Sequence, residues 1–95
     1  MPQERSNRVI VTVIGADRVG IIAGVSAVLA EANANIVDIS QTTLREFFTM
    51  ILMADLGSAT LPFDELKRRL VEKGEQMGVK IDAQHEDVFK YMHRV

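Results

Sequence analysis

Two short stretches of this chain carry residue types that can hold a small polar molecule. The first is Gly15-Ala16-Asp17-Arg18-Val19-Gly20, a carboxylate and a guanidinium bracketed by glycines. Glycine at both ends lets the backbone approach a ligand closely. Amides opening a helix attract an anion, while Asp17 can face a cation. The second is Asn35, whose side chain offers both a donor and an acceptor, followed by Ile36. Both stretches also have a purely structural reading. Asp17 is a plausible N-cap of the helix that follows, and Asn35 can close that helix at its far end.

Other polar clusters point to less. His85, Glu86, Asp87 and His93 are metal-ligating types, but the imidazoles stand eight positions apart. No partner groups to orient them are visible. A solvated terminus or a dimer contact is expected there, and no metal. Ser40, Thr42 and Thr43 read as strand hydroxyls, since no base is placed to activate them. Met50, Met53 and Met77 read as core filler. No paired carboxylates, triad or phosphate loop is spaced for chemistry. The expectation is no catalytic residue, no cofactor and no enzyme.

The totals narrow the classes further. Ninety-five residues make one domain, burying roughly 60–68% of its unfolded surface. That leaves little mass for a deep pocket, so a ligand belongs at an edge or between subunits. A net charge of −2 gives no basic field for nucleic acid or anionic lipid. Cysteine is absent, which removes disulfides, thiolate sites and a cysteine nucleophile. This fits a cytoplasmic location. No stretch approaches the ~20 apolar residues of a membrane span.

The elements that must carry these residues follow from periodicity. Residues 1–7 are polar and read as a disordered leader. Val9 to Ile14 is a β-branched, apolar strand. From Ile21 the period turns helical, with Ile21, Val25, Val28, Leu29 and Ala32 on one stripe. Ala23, Gly24, Ala27 and Ala30 lie between, small enough for close backbone approach. Asn33-Ala34-Asn35 ends that helix. Ile36 to Thr43 is a half-exposed strand, with Val37 and Ile39 against Asp38 and Ser40. It turns at Leu44-Arg45-Glu46 into an apolar strand over Phe47 to Leu56. Pro62 opens a second helix with Phe63, Leu66, Leu70 and Met77 inward. Glu65, Arg68, Arg69, Glu72 and Lys73 form its wet face, and Gly78 stops it. Val79 to Gln84 alternates as a last strand, and Asp87 to Val95 reads as a short terminal helix.

The order β-α-β-β-α-β gives an α+β, ferredoxin-like sandwich: a four-stranded antiparallel sheet with two helices on one face, plus a short C-terminal helix. Ile10, Thr12 and Ile14 lie on one side of the first strand and Val9, Val11 and Val13 on the other. With both sides apolar, the back face or an edge should be covered, most simply by a second copy.

The run from Val13 through Gly15, Asp17, Arg18 and Gly20 to Ile22, then Asn35-Ile36 and Phe48-Thr49-Met50, resembles an ACT domain. The likeness extends to the ACT domains of the glycine cleavage system transcriptional repressor and of formyltetrahydrofolate deformylase. It also extends, through Gln84-His85-Glu86-Asp87 and Met92-His93-Arg94, to a bacterial and archaeal family of stand-alone ACT proteins. The resemblance implies one ACT domain over residues 8–95. It implies a non-catalytic regulatory sensor binding a small, glycine-like amino acid where two copies meet. By motif, Gly15, Asp17, Arg18, Gly20 and Ile21 would be one half of that site, and Asn35 with Ile36 of the other copy the second half. The sequence departs from many relatives at Val19, where proline is common. Output would pass to a regulated protein partner. The alternatives are an interaction module that pairs through a sheet edge or the back face without a ligand, and an RNA-recognition fold. The latter needs a glycine-aromatic platform that Arg45-Glu46-Phe47-Phe48 lacks.

Overall fold

A computed structural model describes residues 7–16 and 19–92. The order is β1 (Arg8–Ala16), α1 (Ile21–Glu31), β2 (Asn35–Leu44), β3 (Phe47–Asp55), α2 (Phe63–Met77), β4 (Val79–His85) and α3 (Glu86–Met92). The strands form one antiparallel sheet in the order β2-β3-β1-β4. The expected α+β architecture is therefore present, including the C-terminal helix. Residues 1–6 of the expected leader lie outside the described residues; the Asn7 carbonyl accepts the Leu56 amide at 2.9 Å.

One face of the sheet meets α1 and α2. Val9, Val11 and Val13 of β1, Met50 and Leu52 of β3, and Ile81 of β4 are buried there. The helices answer with Ile21, Val25 and Leu29, and with Leu66 and Leu70. All five residues of the expected α1 stripe are buried. Of the four small residues beside that stripe, only Gly24 takes the close approach: a Cβ there would stand 2.6 Å from Met77 Sδ. Ala23, Ala27 and Ala30 face outward.

Helix boundaries follow capping chemistry. Asn33 adopts φ 57° just past α1. Its amide reaches the Ala30 carbonyl and the Ala34 amide reaches Leu29, the paired bonds of a Schellman end. The Asn33 side chain donates to the Ser58 carbonyl at 2.8 Å. Asn35 is not the cap; it opens β2. At the other end the expected cap is also displaced. The N-cap of α1 is Gly20 at φ 96°, with no side-chain cap bond, because the helix starts at Ile21 rather than directly after Asp17.

Two further expectations change. A bulge between Ile36 and Asp38 inserts one extra residue into β2. Ile36 and Ile39, rather than Val37 and Ile39, therefore share the helix-side face. Nor is β2 half-exposed: all ten of its residues are exposed, as it lies at the sheet edge and α1 barely reaches it. The terminus beyond β4 is likewise not simply solvated. Glu86 is only 5% exposed and accepts from Arg8 Nε at 3.1 Å.

This ion pair fastens α3 onto the back of the sheet. There Phe89 and Met92 sit over Ile10, Thr12 and Ile14 of β1, and over Asp82 and Gln84 of β4. The chain's own α3 thus covers part of the apolar back face that the sequence suggested a second copy would cover. Ile10 is buried beneath it, whereas Ile14 remains 54% exposed.

Candidate functional site

The loop after β1 and the first turn of α1 face the end of β2 across an open cavity of about 420 Å³. Its walls are Val19, Gly20, Ile21, Ile22 and Ala23 on the helix side. Gln41 and Thr43 of β2 and Phe48 of β3 stand opposite. The local reason is plain. β1 ends at Ala16 beside Phe47, so the chain emerges at that end of the sheet and must turn sharply onto its helix face. Gly20 makes the turn with a left-handed backbone that a side chain would strain.

The uncapped first turn of α1 offers its amides to a carboxylate. Gln41 and Thr43 offer amide and hydroxyl groups. Among the described lining residues there is no ionisable side chain. Asp17 and Arg18, the charges expected at this loop, lie outside the described residues. Elsewhere, on α2, the Glu65 carboxylate is pulled down to about 2. The Arg68 guanidinium at 2.6 Å is the main cause, then Arg69 at 3.0 Å. It marks an exposed ion cluster, not this cavity.

The other expected site residues separate into two groups. Gly20 and Ile21 line the cavity. Gly15 does not; it lies inside β1 between Phe48 and Val79. A Cβ on it would stand 2.7 Å from Val79 Cγ1, so its lack of a side chain serves sheet packing. Asn35 and Ile36 are at the opposite end of the sheet. Asn35 pairs with Asp55, which faces Arg8, whereas Leu44 pairs with Phe47 beside Ala16. Nine residues of strand put Asn35 about 30 Å from the loop end. One chain cannot bring Gly20 and Asn35 to one ligand.

Gln41, Thr43, Val19, Ile22 and Phe48 were not among the site residues expected from sequence. A signal existed for two of them: Gln41 and Thr43 are polar at positions in phase with Ile39, on the face of the strand that should be apolar. The bulge lies before both, so plain alternation from Ile39 already places them on that face. The described metal-ligating residue types near the end of the chain are not gathered in one place. Among the described residues no group of His, Asp or Glu is gathered to hold a metal. His85 turns to the helix face, its ring 4.2 Å from that of Phe63, while Glu86 turns to Arg8. His93 lies outside the described residues. Among the described residues no helix is long and apolar enough to cross a membrane.

A sheet ordered β2-β3-β1-β4 under two helices, with a glycine-turned loop over its β2 corner, is matched by known proteins. The ACT domain family model matches residues 7–84. The chain belongs to the ACT domain family. A UPF0237 protein of Methanocaldococcus jannaschii is 55% identical over 94% of this chain and 99% of its own length. An ACT domain protein from Streptococcus pneumoniae superposes with a TM-score of 0.76 at 40% identity, over 87% of this chain and 93% of that one. A chain described as a glycine cleavage system transcriptional repressor gives a TM-score of 0.73 at 16% identity, over 88% of this chain and 49% of that one. That last likeness is one of fold alone. ACT domains are typically regulatory modules that bind small molecules, and the matched family model indicates no catalytic reaction.

Proposed function

We propose that this ACT domain is a sensor that binds a small, glycine-like amino acid between two copies of itself. The observation that carries the reading is the separation of the two half-sites. The Gly20 loop and Asn35 lie at opposite ends of β2, and β2 is a fully exposed edge strand. Antiparallel pairing of β2 with the same strand of a second copy reverses one strand against the other. Centred on Ile39 and counted through the bulge, that pairing sets Ile36 of one copy level with Gln41 of the other, which lines the loop cavity, and Asn35 level with the neighbouring Thr42. The amides of the first α1 turn and Gly20 would then take the carboxylate. The partner's Asn35 would complete the polar shell, and Asp17 would face the ammonium.

The reading keeps Gly20, Ile21, Asn35 and Ile36 in direct roles, with Asp17 and Arg18 supplying charge. It moves Gly15 to a supporting role beneath the loop. Calorimetric titration of the twenty amino acids tests it. Heat is expected with glycine or another small amino acid, and should be abolished by Asn35→Ala. No heat with any amino acid removes the ligand. The interaction module without a ligand would then be the better reading, since the exposed β2 edge remains available for strand addition.

A further inference from the structure

The back of the sheet has two unlike halves. Over β1 and β4 stands α3, a raised ridge held by Arg8 and Glu86. Over β2 and β3 no described residue covers the sheet. Thr12 faces Ile51, Ala16 faces Phe47, and Phe47 faces Leu44, which places these three apolar residues on that bare floor. Leu44 is 69% exposed, Phe47 54% and Ile51 45%. Beside them is a shallow apolar hollow of about 130 Å³, floored by Ile10, Ile51 and Met53 and edged by Asp38 and Ser40. The ridge is apolar on its open side as well: Val88 is 43% exposed, Tyr91 73% and Met92 58%. Charged helix surfaces are the norm where a helix meets only water.

We propose that the back face docks a second copy of this chain, each α3 ridge seated on the other copy's bare floor. A ridge beside a floor on one face is self-complementary: a twofold axis lying in the interface, parallel to the strands and between the two halves, places each on its counterpart, as an isologous interface requires. These six residues present on the order of 600 Å² per copy, or about 1,200 Å² when two faces close, the lower bound for a stable interface. Tyr91 is the anchor, an exposed aromatic beside a partner hollow whose rim carries acceptors for its hydroxyl. The surface is distinct from the β2 edge and does not depend on the ligand. With both interfaces in use, the assembly is a dimer of dimers.

Sedimentation of the full chain separates the two interfaces. Tyr91→Glu and, independently, Phe47→Lys should each halve the wild-type mass with far-UV circular dichroism unchanged. Mixing those two variants should restore association, because Phe47→Lys and Tyr91→Glu then meet across the twofold. Ile39→Lys, on the β2 edge, should leave the back-face dimer intact. A wild-type monomer overturns the proposal. So does a mass that Ile39→Lys reduces to one chain and the back-face substitutions leave unchanged. A wild-type dimer split by the back-face substitutions but not by Ile39→Lys supports it and counts against the β2-edge site instead.

Discussion

Gly20 and Gly15 flank the same loop but are needed for different reasons. Gly20 sits at φ 96° with nothing near its absent side chain, so only backbone strain opposes a Cβ. Gly20→Ala should cost about 1 kcal/mol in urea unfolding, with the slope unchanged. Gly15 has an ordinary backbone but crowds Val79, so Gly15→Ala should cost about 1–3 kcal/mol through displacement of β4. Equal costs would mean that crowding at Val79 relaxes. Glu65 offers a second check. Its carboxyl is held near 2 by Arg68 and then Arg69, below the usual 4.5. A depressed folded pKa stabilises the fold above the unfolded value, and that contribution fades as pH falls from about 4.5 to about 2. The cluster is fully exposed, so salt should weaken it. Carboxyl titration by NMR should place Glu65 near 2 and show Arg68→Ala moving it upward. An ordinary midpoint in the wild type would show that the guanidinium contacts do not persist in water.

Among the elements, β2 decides the most and was the least legible. Helices α1 and α2 could be read from their stripes, because burial there is repetitive and every inward position is apolar. β1 and β3 could be read from their apolar runs, and β4 from alternation. The phase of β2 was lost, since a one-residue bulge inverts the faces and no local composition announces it. The candidate site was hard to read for a different reason, since polar side chains on an exposed edge strand are unremarkable. Gln41 and Thr43 were overlooked, and Asn35 was legible only by its likeness to a motif. The edge also carries its own guard: Asp38 Oδ1 accepts the Ile39 amide at 2.9 Å. A strand docking at Ile39 must compete with that bond. Asp38→Ala should therefore tighten β2-edge association by about 3–10-fold, the worth of one released backbone donor. Dilution-dependent sedimentation in the Tyr91→Glu background reads this; weaker association would mean that Asp38 itself contacts the partner.

The described residues span 46 × 34 × 18 Å, one sheet with α1 and α2 on one face and α3 on part of the other. The chain's size already argued against a deep pocket, and the structure bears this out at the loop, where the cavity opens to solvent at the molecule's rim. On the proposed reading a single copy holds half of a recognition surface, and function belongs to the assembly. Complementation tests this most directly. A Gly20→Val chain lacks a competent loop and an Asn35→Ala chain lacks the opposing amide; neither alone should bind the amino acid. Random mixing of the two should regain about a quarter of the wild-type sites, because half the pairs are hybrid and each hybrid holds one intact site. A mixture that stays as silent as its components, or an Asn35→Ala chain that binds as well as wild type, would contradict a site shared between two copies.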